Sequence, residues 1–573
     1  MLYTDAKLQP LPYKYLPENF EISCWDTVKK YMELLCNHDT STPEALEEMI
    51  EKYSELVKAM SDELSWRYIH MTLAADDPEK EAAYNEYYGN VYAPTEAYQF
   101  NIKQLFYESP ARELLNSETY GLLNQIFAND LNLFREENIP LQIQESEIAN
   151  KYGSTVSKMS AFFEGEDRTP TQLSVFLKEP DRKKREEAWR LRYGLFAAKQ
   201  EELNNQFDEL KVLRCSIAHN AGFANFRDYK HMEMGRFSYS PEEIYAFHDA
   251  VEKVVIPFVK ELELKRQKAL NLENLRPWDM AVDLDGLKLK PFQTTQEFVT
   301  KSIKVLGKVN PAYAEQLEMM YNTGLLDLEN RKGKAPGGYN TNINKLASSF
   351  IFMNHVKLHN DVITLLHEAG HAMHSAATGH IKIAQYLETP SEVAELASMT
   401  MELLTMDYWD ELYPNKTDLN KAKRDQLEGT ISFLPWCMIV DAFQHWVYLN
   451  PQQSVEERYH AYLEIAERFG GNTDWSGLED FRKLGWLMQL HIFEVPFYYI
   501  EYGMAQLGAL SIYMNYRKNK PLALKNYQDF LRLGYSKQVS EIYQTAGIEF
   551  DFSENRIREL VDFVKSELSE LEK

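Results

Sequence analysis

The sequence predicts a mainly α-helical fold, and three features of the chain indicate it. Most of the 573 residues belong to stretches with apolar side chains at the three- and four-residue spacing of amphipathic helices. The stretch 179–220 is dense in Arg, Lys, Glu and Leu, which suits a long, partly exposed helix with ion pairs on its outer face. No internal repeat, low-complexity tract or Gly/Ser-rich linker interrupts the pattern. We therefore expect a helical chain without loosely tethered domains.

Seven long helices and one short β element are predicted along the chain. The two glycines Gly337 and Gly338 permit a tight turn, and 348–354 has the composition of a short strand. An extended peptide could add to the edge of such a strand through main-chain hydrogen bonds, whereas the alternative is a plain structural hairpin. The predicted helices cover 43–72, 95–136, 180–221, 241–272, 418–448, 495–517 and 554–572.

The composition is that of an ordinary globular protein with an excess of acidic residues. Apolar residues make up 44% of the chain and charged residues 26%. The formal net charge of −25 disfavours binding to nucleic acids and to anionic membrane surfaces. No apolar run approaches the roughly 20 residues that a membrane-spanning helix needs.

Cysteine usage and the N-terminal sequence predict a cytoplasmic protein. The N-terminal segment Met1–Ala6 lacks the basic stretch and apolar core of a secretory signal. Four cysteines are scattered without paired spacing, as expected of free thiols in a reducing compartment. They are Cys24, Cys36, Cys215 and Cys437.

The most informative chemical feature is the H-E-x-x-H motif from His367 to His371. Helical residues four apart lie on one face, so both imidazoles can bind one metal ion with Glu368 beside it. His374 lies three residues further on and is predicted to be structural or to line the site. Without a third ligand, two buried histidines with ordinary hydrogen bonds would be the alternative interpretation.

The flanking sequence predicts the two helices that would present the ligands. Asn360 or Asp361 can cap a helix over 361–378, and Gly379 suits its C-terminal end. The segment 389–392, Thr-Pro-Ser-Glu, combines an N-cap, a proline at the first helical position and a capping-box glutamate. A second helix should therefore begin there.

The third metal ligand should come from the glutamates Glu388, Glu392, Glu395 and Glu402. Glu392 is expected to cap its own helix, and Glu388 lies in the preceding loop. Glu395 and Glu402 are seven residues apart and share a helix face. We choose Glu395 as the ligand and Glu402 as the carboxylate that holds a ligand imidazole, with a solvated surface acid as the alternative for Glu402. Two histidines and one carboxylate suit a catalytic zinc, although cobalt or manganese could occupy the same ligands.

These motifs resemble the thimet oligopeptidase, neurolysin and oligoendopeptidase F group of zinc peptidases. The similarity points to the oligoendopeptidase F and Pz-peptidase branch, in which the ligand glutamate follows the first histidine by 28 residues, as Glu395 follows His367. The thimet branch carries its ligand in a Glu-x-Pro-Ser string, but Glu388 begins such a string only 21 residues after His367. The segments that carry the resemblance are His367–His371, Ser391–Glu402, Asp441–Tyr448 and His491–Gly503.

The resemblance implies a fold and further site residues. The expected architecture is a two-lobed, neurolysin-like helical metallopeptidase enclosing a deep channel, with the small β element near the active site. The expected domains are an N-terminal helical region over 1–165 and a helical zinc metallopeptidase catalytic domain over 166–573. Tyr502 and Tyr498 are implied to face the metal and donate to a developing oxyanion, and His491 to contact the substrate or oxyanion. Ordinary buried tyrosines are the alternative.

Together, these residues predict a zinc-dependent oligoendopeptidase that cleaves short unstructured peptides and binds one Zn²⁺ per chain. His367, His371 and Glu395 would bind the metal, which lowers the pKa of a water molecule toward about 7. Glu368 would act as the general base. A helical zinc carboxypeptidase or peptidyl-dipeptidase, a catalytically silent peptide-binding protein and a non-peptide amidase are the alternatives. Oligopeptides are the expected partners, and the sequence does not predict an oligomeric state.

Overall fold

Helices account for most of the chain, so the predicted mainly α class is confirmed. The computed structural model describes residues 10–284, 289–335 and 337–573. The α-helices are α1 (Trp25–Cys36), α2 (Pro43–Leu73), α3 (Pro78–Tyr87), α4 (Glu96–Glu108), α5 (Ser117–Leu133), α6 (Ile139–Ser157), α7 (Pro170–Val175), α8 (Arg182–Ala198), α9 (Gln200–Asn220), α10 (Phe226–Glu233), α11 (Pro241–Ala269), α12 (Thr295–Val309), α13 (Pro311–Thr323), α14 (His359–Ala377), α15 (Ser391–Thr405), α16 (Lys416–Ser432), α17 (Leu434–Leu449), α18 (Val455–Arg468), α19 (Glu479–Arg482), α20 (Leu490–Glu494), α21 (Tyr499–Lys518), α22 (Lys520–Leu531), α23 (Val539–Thr545) and α24 (Glu554–Leu571). The strands are β1 (Ala161–Phe163), β2 (Glu166–Arg168), β3 (Leu326–Glu329), β4 (Tyr339–Ile343) and β5 (Ser348–His355).

Helix starts show how the local sequence fixes these elements. At α2, Pro43 occupies the first turn, where a missing backbone N–H costs nothing, and the Thr42 hydroxyl accepts from the backbone N–H of Ala45 at 3.2 Å. At α11, Ser240 and Glu243 form a reciprocal capping box. Four of the seven predicted helices, 43–72, 241–272, 495–517 and 554–572, are confirmed as α2, α11, α21 and α24 with shifted ends.

Three predicted long helices are each divided in two. The predicted helix 95–136 breaks at Pro110, which has no backbone N–H to continue an α-helical ladder. The predicted helix 418–448 breaks at Phe433, just before Pro435 in the first turn of α17. The predicted helix 180–221 breaks at Lys199, and nothing in the local sequence marks that position.

The predicted β element is a three-stranded sheet with strand order β3-β5-β4. The strand predicted over 348–354 is β5, which lies in the centre of this sheet rather than at its edge. Its pairing is parallel with β3 and antiparallel with β4. The expectation that a peptide could add to this strand is therefore wrong, because both of its hydrogen-bonding sides are occupied. Within the described residues, β4 pairs with β5 alone and forms an edge of the sheet.

The chain divides into two compact units, each built from three separate sequence segments. The first unit comprises the described residues of Met1–Asn132, Leu289–Lys423 and Gly508–Phe550. The second comprises those of Leu133–Lys288, Arg424–Leu507 and Asp551–Lys573. Because these units interleave along the sequence, they do not test a domain boundary at a single position. The division at 165 and 166, like the expected channel, stays a prediction.

Candidate metal centre and active site

The first unit brings His367, His371 and Glu395 together, with both histidines on α14 and the glutamate on α15. Their ligand atoms all lie within 4.8 Å of one another. Glu395 Oε2 is 3.2 Å from His367 Nε2 and 3.8 Å from His371 Nε2. Zinc bonds of about 2.0–2.2 Å in a tetrahedron place ligand atoms roughly 3.4 Å apart. This nitrogen and oxygen donor set therefore fits a zinc ion.

Neighbouring side chains on α15 orient two members of the cluster. His367 Nδ1 lies 2.7 Å from Glu402 Oε1 and donates to it, which leaves Nε2 facing Glu395. Glu402 is buried, so its alternative interpretation as a solvated surface acid is wrong. Ser398, which sequence reasoning missed, donates from Oγ to Glu395 Oε2 at 3.1 Å. Its spacing of three residues from Glu395 on a helix was the available signal.

Burial and charge set the protonation of these groups. Burial works to raise the pKa of Glu395, but the hydrogen bond from His367 and the nearby imidazoles outweigh it and hold the pKa at about 2. Burial works to lower the pKa of His367, yet Glu395 and Glu402 keep it well above its ordinary value. Burial lowers the pKa of His371 to about 4. These shifts leave Glu395 ionised and His371 neutral, and binding of a metal ion would release the extra proton that the two carboxylates hold on His367.

Glu368 is buried beside the cluster without belonging to it. Burial first, and then repulsion by Glu395 and Glu402, raise the pKa of Glu368 to about 7, although His367 opposes the shift. A carboxylate with a pKa near neutrality can both accept and return a proton at physiological pH.

The helix α14 begins and ends differently from the prediction. It starts at His359, and the Asp361 carboxylate accepts from the backbone N–H groups of Val356 and Leu358 at 2.9 and 2.7 Å. Gly379 follows the helix end without a left-handed conformation. A Cβ at Gly379 would lie 2.6 Å from the Cβ of Ala347, so this glycine permits a close approach.

The helix α15 begins at Ser391, one residue later than the prediction, which placed Pro390 at the first helical position. Its N-cap residue, Pro390, provides no side-chain cap, so the predicted capping box with Glu392 is wrong. Glu392 is buried, and its carbonyl accepts from the Tyr543 hydroxyl at 3.0 Å. Glu388 directly follows a short 3₁₀ turn, as the predicted loop position requires. Neither residue belongs to the metal cluster.

The edge strand β4 is hydrogen-bonded to α14. Asn340 Nδ2 donates to the backbone carbonyl of Glu368 at 3.2 Å and to Ser349 Oγ at 2.8 Å. Ser375 Oγ, one turn after His371, donates to Asn342 Oδ1. These contacts place the edge strand alongside the helix that carries the motif. No sequence signal connected Asn340 with Glu368, because 28 residues separate them.

His374 lies buried on α14 outside the metal cluster. Its ring centroid is 6.2 Å from that of Phe530, and burial lowers its pKa to about 3. These surroundings suit a neutral core histidine, which agrees with the structural alternative predicted for it.

His491, Tyr498 and Tyr502 come together in the second unit. His491 lies on α20, Tyr502 lies on α21 and Tyr498 immediately precedes α21. The ring centroids of Tyr498 and Tyr502 are 5.1 Å apart, and His491 lies 6.2 and 6.0 Å from them respectively. Their predicted position facing the metal stays a prediction.

Buried polar groups that sequence reasoning missed hold the backbone before α21. Phe497 has a left-handed φ of 66°, which is costly for an aromatic residue. Its N–H donates to Gln444 Oε1 at 2.9 Å, and its carbonyl accepts from Arg236 Nη2 at 2.6 Å. Arg236 is also paired with the buried Glu501 at 2.7 Å. The segment Asp441–Tyr448 thus supports the tyrosine cluster through Gln444.

None of the helices in the described ranges has the length and apolar character needed to cross a membrane. All four cysteines fall within those ranges, and each is a free thiol.

The mainly helical fold and the two-histidine, one-carboxylate cluster beside a buried glutamate define a helical metallopeptidase. Residues 175–562 match the family described as Peptidase family M3, and the chain belongs to this family, in its oligoendopeptidase F branch. The chain is 22% identical over 568 residues to an oligoendopeptidase F homolog of Lactococcus lactis subsp. lactis, covering 91% of this chain and 89% of that protein. It is 27% identical to an oligoendopeptidase F homolog of Borreliella burgdorferi, covering 71% and 68% respectively. The solved structure of Pz peptidase A with an inhibitor superimposes with a TM-score of 0.89 at 27% identity, covering 96% of this chain and 98% of that one.

Proposed function

We propose that the protein is a zinc-dependent oligoendopeptidase that hydrolyses internal bonds of short, unstructured peptides. The observation that carries the proposal is the cluster of His367, His371 and Glu395 next to the buried Glu368. Membership of peptidase family M3 supports peptide hydrolysis. The free cysteine thiols support action in the cytoplasm.

In the proposed mechanism, His367, His371 and Glu395 would hold one zinc ion. When bound, the ion supplies Lewis acidity, which lowers the pKa of a water molecule toward about 7 and polarises the scissile carbonyl. Glu368 accepts a proton from the attacking water through its carboxylate and delivers it to the nitrogen of the leaving amine. Glu402 keeps the proton of His367 on Nδ1, so that Nε2 stays available as a ligand atom.

We propose that Tyr502 or Tyr498 stabilises the oxyanion. A phenol that donates to the developing negative charge acts only as the transition state forms, so its loss lowers kcat more than it changes KM. Tyr502→Phe and Tyr498→Phe, measured separately, should identify the donor by this signature. An unchanged kcat in both variants would contradict the assignment. His491 is assigned as a substrate contact, and its replacement should raise KM.

The substrate backbone is proposed to pair with the edge strand β4 rather than with β5, whose hydrogen-bonding sides are both occupied. Its contacts with α14 support this, because a peptide paired with Asn340 and its neighbours would lie beside Glu368. Main-chain pairing selects an extended conformation without reading the side chains. Oligopeptides, which are already unfolded, are therefore the proposed substrate class.

Cleavage of an internally quenched peptide blocked at both ends tests the proposal. We expect internal cleavage that disappears on chelation and returns with zinc, because no protein group replaces the lost Lewis acid. Zinc should also raise the midpoint of thermal unfolding, since it binds the native state. Cleavage only of peptides with a free C-terminus would favour the carboxypeptidase or peptidyl-dipeptidase, and cleavage that resists chelation would contradict the metal assignment.

Glu402→Ala should weaken zinc binding about 10- to 100-fold, because His367 loses the acceptor that fixes its ring. The measurement is a zinc titration against a competing chelator. Glu318→Ala, on the exposed face of α13, removes the same charge and should leave zinc affinity unchanged. Equal zinc affinity in the two variants would show that Glu402 does not orient the ligand.

A further inference from the structure

A cavity of about 430 Å³ in the second unit has an arginine in its wall. Arg192, on α8, is half-buried there. No ion pair or hydrogen bond joins it to any residue in the described parts of the chain, and its buried Nε has no acceptor. An arginine that is partly removed from water normally has an anionic or carbonyl partner, because an unpaired buried charge is costly. Its isolation is notable in a chain with 87 acidic residues against 62 lysines and arginines.

The other charged groups in the cavity wall neutralise each other. Arg482 Nη1 lies 2.7 Å from Glu467 Oε2, and Arg482 Nη2 donates to the backbone carbonyl of Ala466 at 3.0 Å. The wall therefore carries one unbalanced positive charge, that of Arg192. Burial lowers the pKa of Arg192, but a guanidinium stays charged at physiological pH. Its planar donor pair matches the two oxygens of a carboxylate.

Aromatic side chains form part of the remaining wall, which also leads to a predicted site residue. Trp436, Trp475 and Tyr193 line the cavity. Trp436 Nε1 donates to Gln489 Oε1 at 3.0 Å, and Gln489 Nε2 donates to His491 Nδ1 at 2.6 Å. The cavity thus shares the side chain of Gln489 with the histidine proposed to contact the substrate.

We propose that this cavity binds a carboxylate group of a peptide through Arg192, with the tryptophans packing against the adjoining side chain. The choice of a peptide as the ligand rests on the proposed function. The carboxylate can be the C-terminus of the peptide or an acidic side chain. Both sources present the same planar pair of oxygens to the guanidinium.

Calorimetric binding to the zinc-loaded Glu368→Gln protein tests the proposal without turnover. The probes are Gly-Ala-Gly-Ala-Phe with a free or amidated C-terminus, and amidated Gly-Ala-Gly-Glu-Phe against its Gln counterpart. We expect one carboxylate-bearing member to bind about 10- to 100-fold more tightly than its neutral partner, the range for a hydrogen bond to a charged group. Adding Arg192→Gln should remove this difference. Adding Arg190→Gln, which removes an equal charge from the Glu186 ion pair on the same helix, should preserve it.

The pair that shows the difference identifies the source of the carboxylate. The proposal would be overturned if the charged and neutral peptides bound equally within both pairs. It would also be overturned if a difference within a pair survived Arg192→Gln. If Arg192→Gln fails to fold, Arg192→Lys replaces it and should reduce the difference, because lysine lacks the forked donor pair; an undiminished difference would overturn the proposal. Failure of the wild-type protein to cleave any peptide would contradict the proposed function, whereas the dependence of binding on Arg192 would still be measured.

Discussion

Glu368→Gln should reduce kcat by about 10²- to 10⁴-fold, the range for loss of a general base. The amide has nearly the shape of the carboxylate but cannot accept the proton of the attacking water. Because His367, His371 and Glu395 are unchanged, zinc should still bind in a one-to-one ratio. Peptide affinity should also persist. Single-turnover cleavage, with zinc content measured on the same sample, separates a lost base from a lost metal.

The matched control for this variant is Glu318→Gln on the exposed face of α13, which changes the same functional group away from the site. We expect its kcat and zinc content to equal those of the wild-type protein. Near-normal turnover in Glu368→Gln would contradict the base assignment. Loss of zinc together with activity would instead assign Glu368 to metal binding.

Gly370→Ala should disrupt the protein at the contact between α14 and α15. A Cβ at Gly370 would lie 2.5 Å from the Cα and 3.1 Å from the N of Ser398, and 2.9 Å from the carbonyl oxygen of Ala397. All three are backbone atoms, so the two helices must move apart. Overpacking of this kind costs about 1–3 kcal/mol of unfolding free energy, and occasionally more. The movement also separates Glu395 from the two histidines, so we expect activity to fall about 10²-fold or more, the effect of a small misplacement.

Thermal unfolding, zinc titration and peptide cleavage measure the three consequences of Gly370→Ala. The control is Gly121→Ala in α5, where an added Cβ meets nothing within 4 Å. Alanine is the better helix former, so this control should be neutral or stabilising by up to about 1 kcal/mol. If Gly370→Ala unfolds at the wild-type temperature and binds zinc normally, the close approach of the helices is not required.

Local sequence was sufficient to predict the helices that carry the candidate metal cluster. The spacing of His367 and His371 requires a helix to bring the two imidazoles to one face, and α14 supplies it. Glu395 and Glu402 share a helix face because they are seven residues apart. This spacing places Glu395 and Glu402 on one helix face, and the packing of α15 against α14 then brings both carboxylates to the histidines. The capping box at Glu392 failed, although its sequence pattern was present.

Other features depended on groups far apart in the sequence. In the sequence, Gly370 is an ordinary variable position of the motif, whereas in the structure the backbone of α15 packs directly against it. Asn340 reaches Glu368 across a turn and a strand, and β5 became the central strand because β3 and β4 flank it. The charge of Arg192 could be read from the sequence, but the absence of a described partner could not. Sequence by itself determined the elements and the spacing within each helix, because those follow from local geometry. Only the tertiary structure decided which backbones touch, which strand lies at the edge and which buried charge lacks a described partner, because these depend on packing between distant segments.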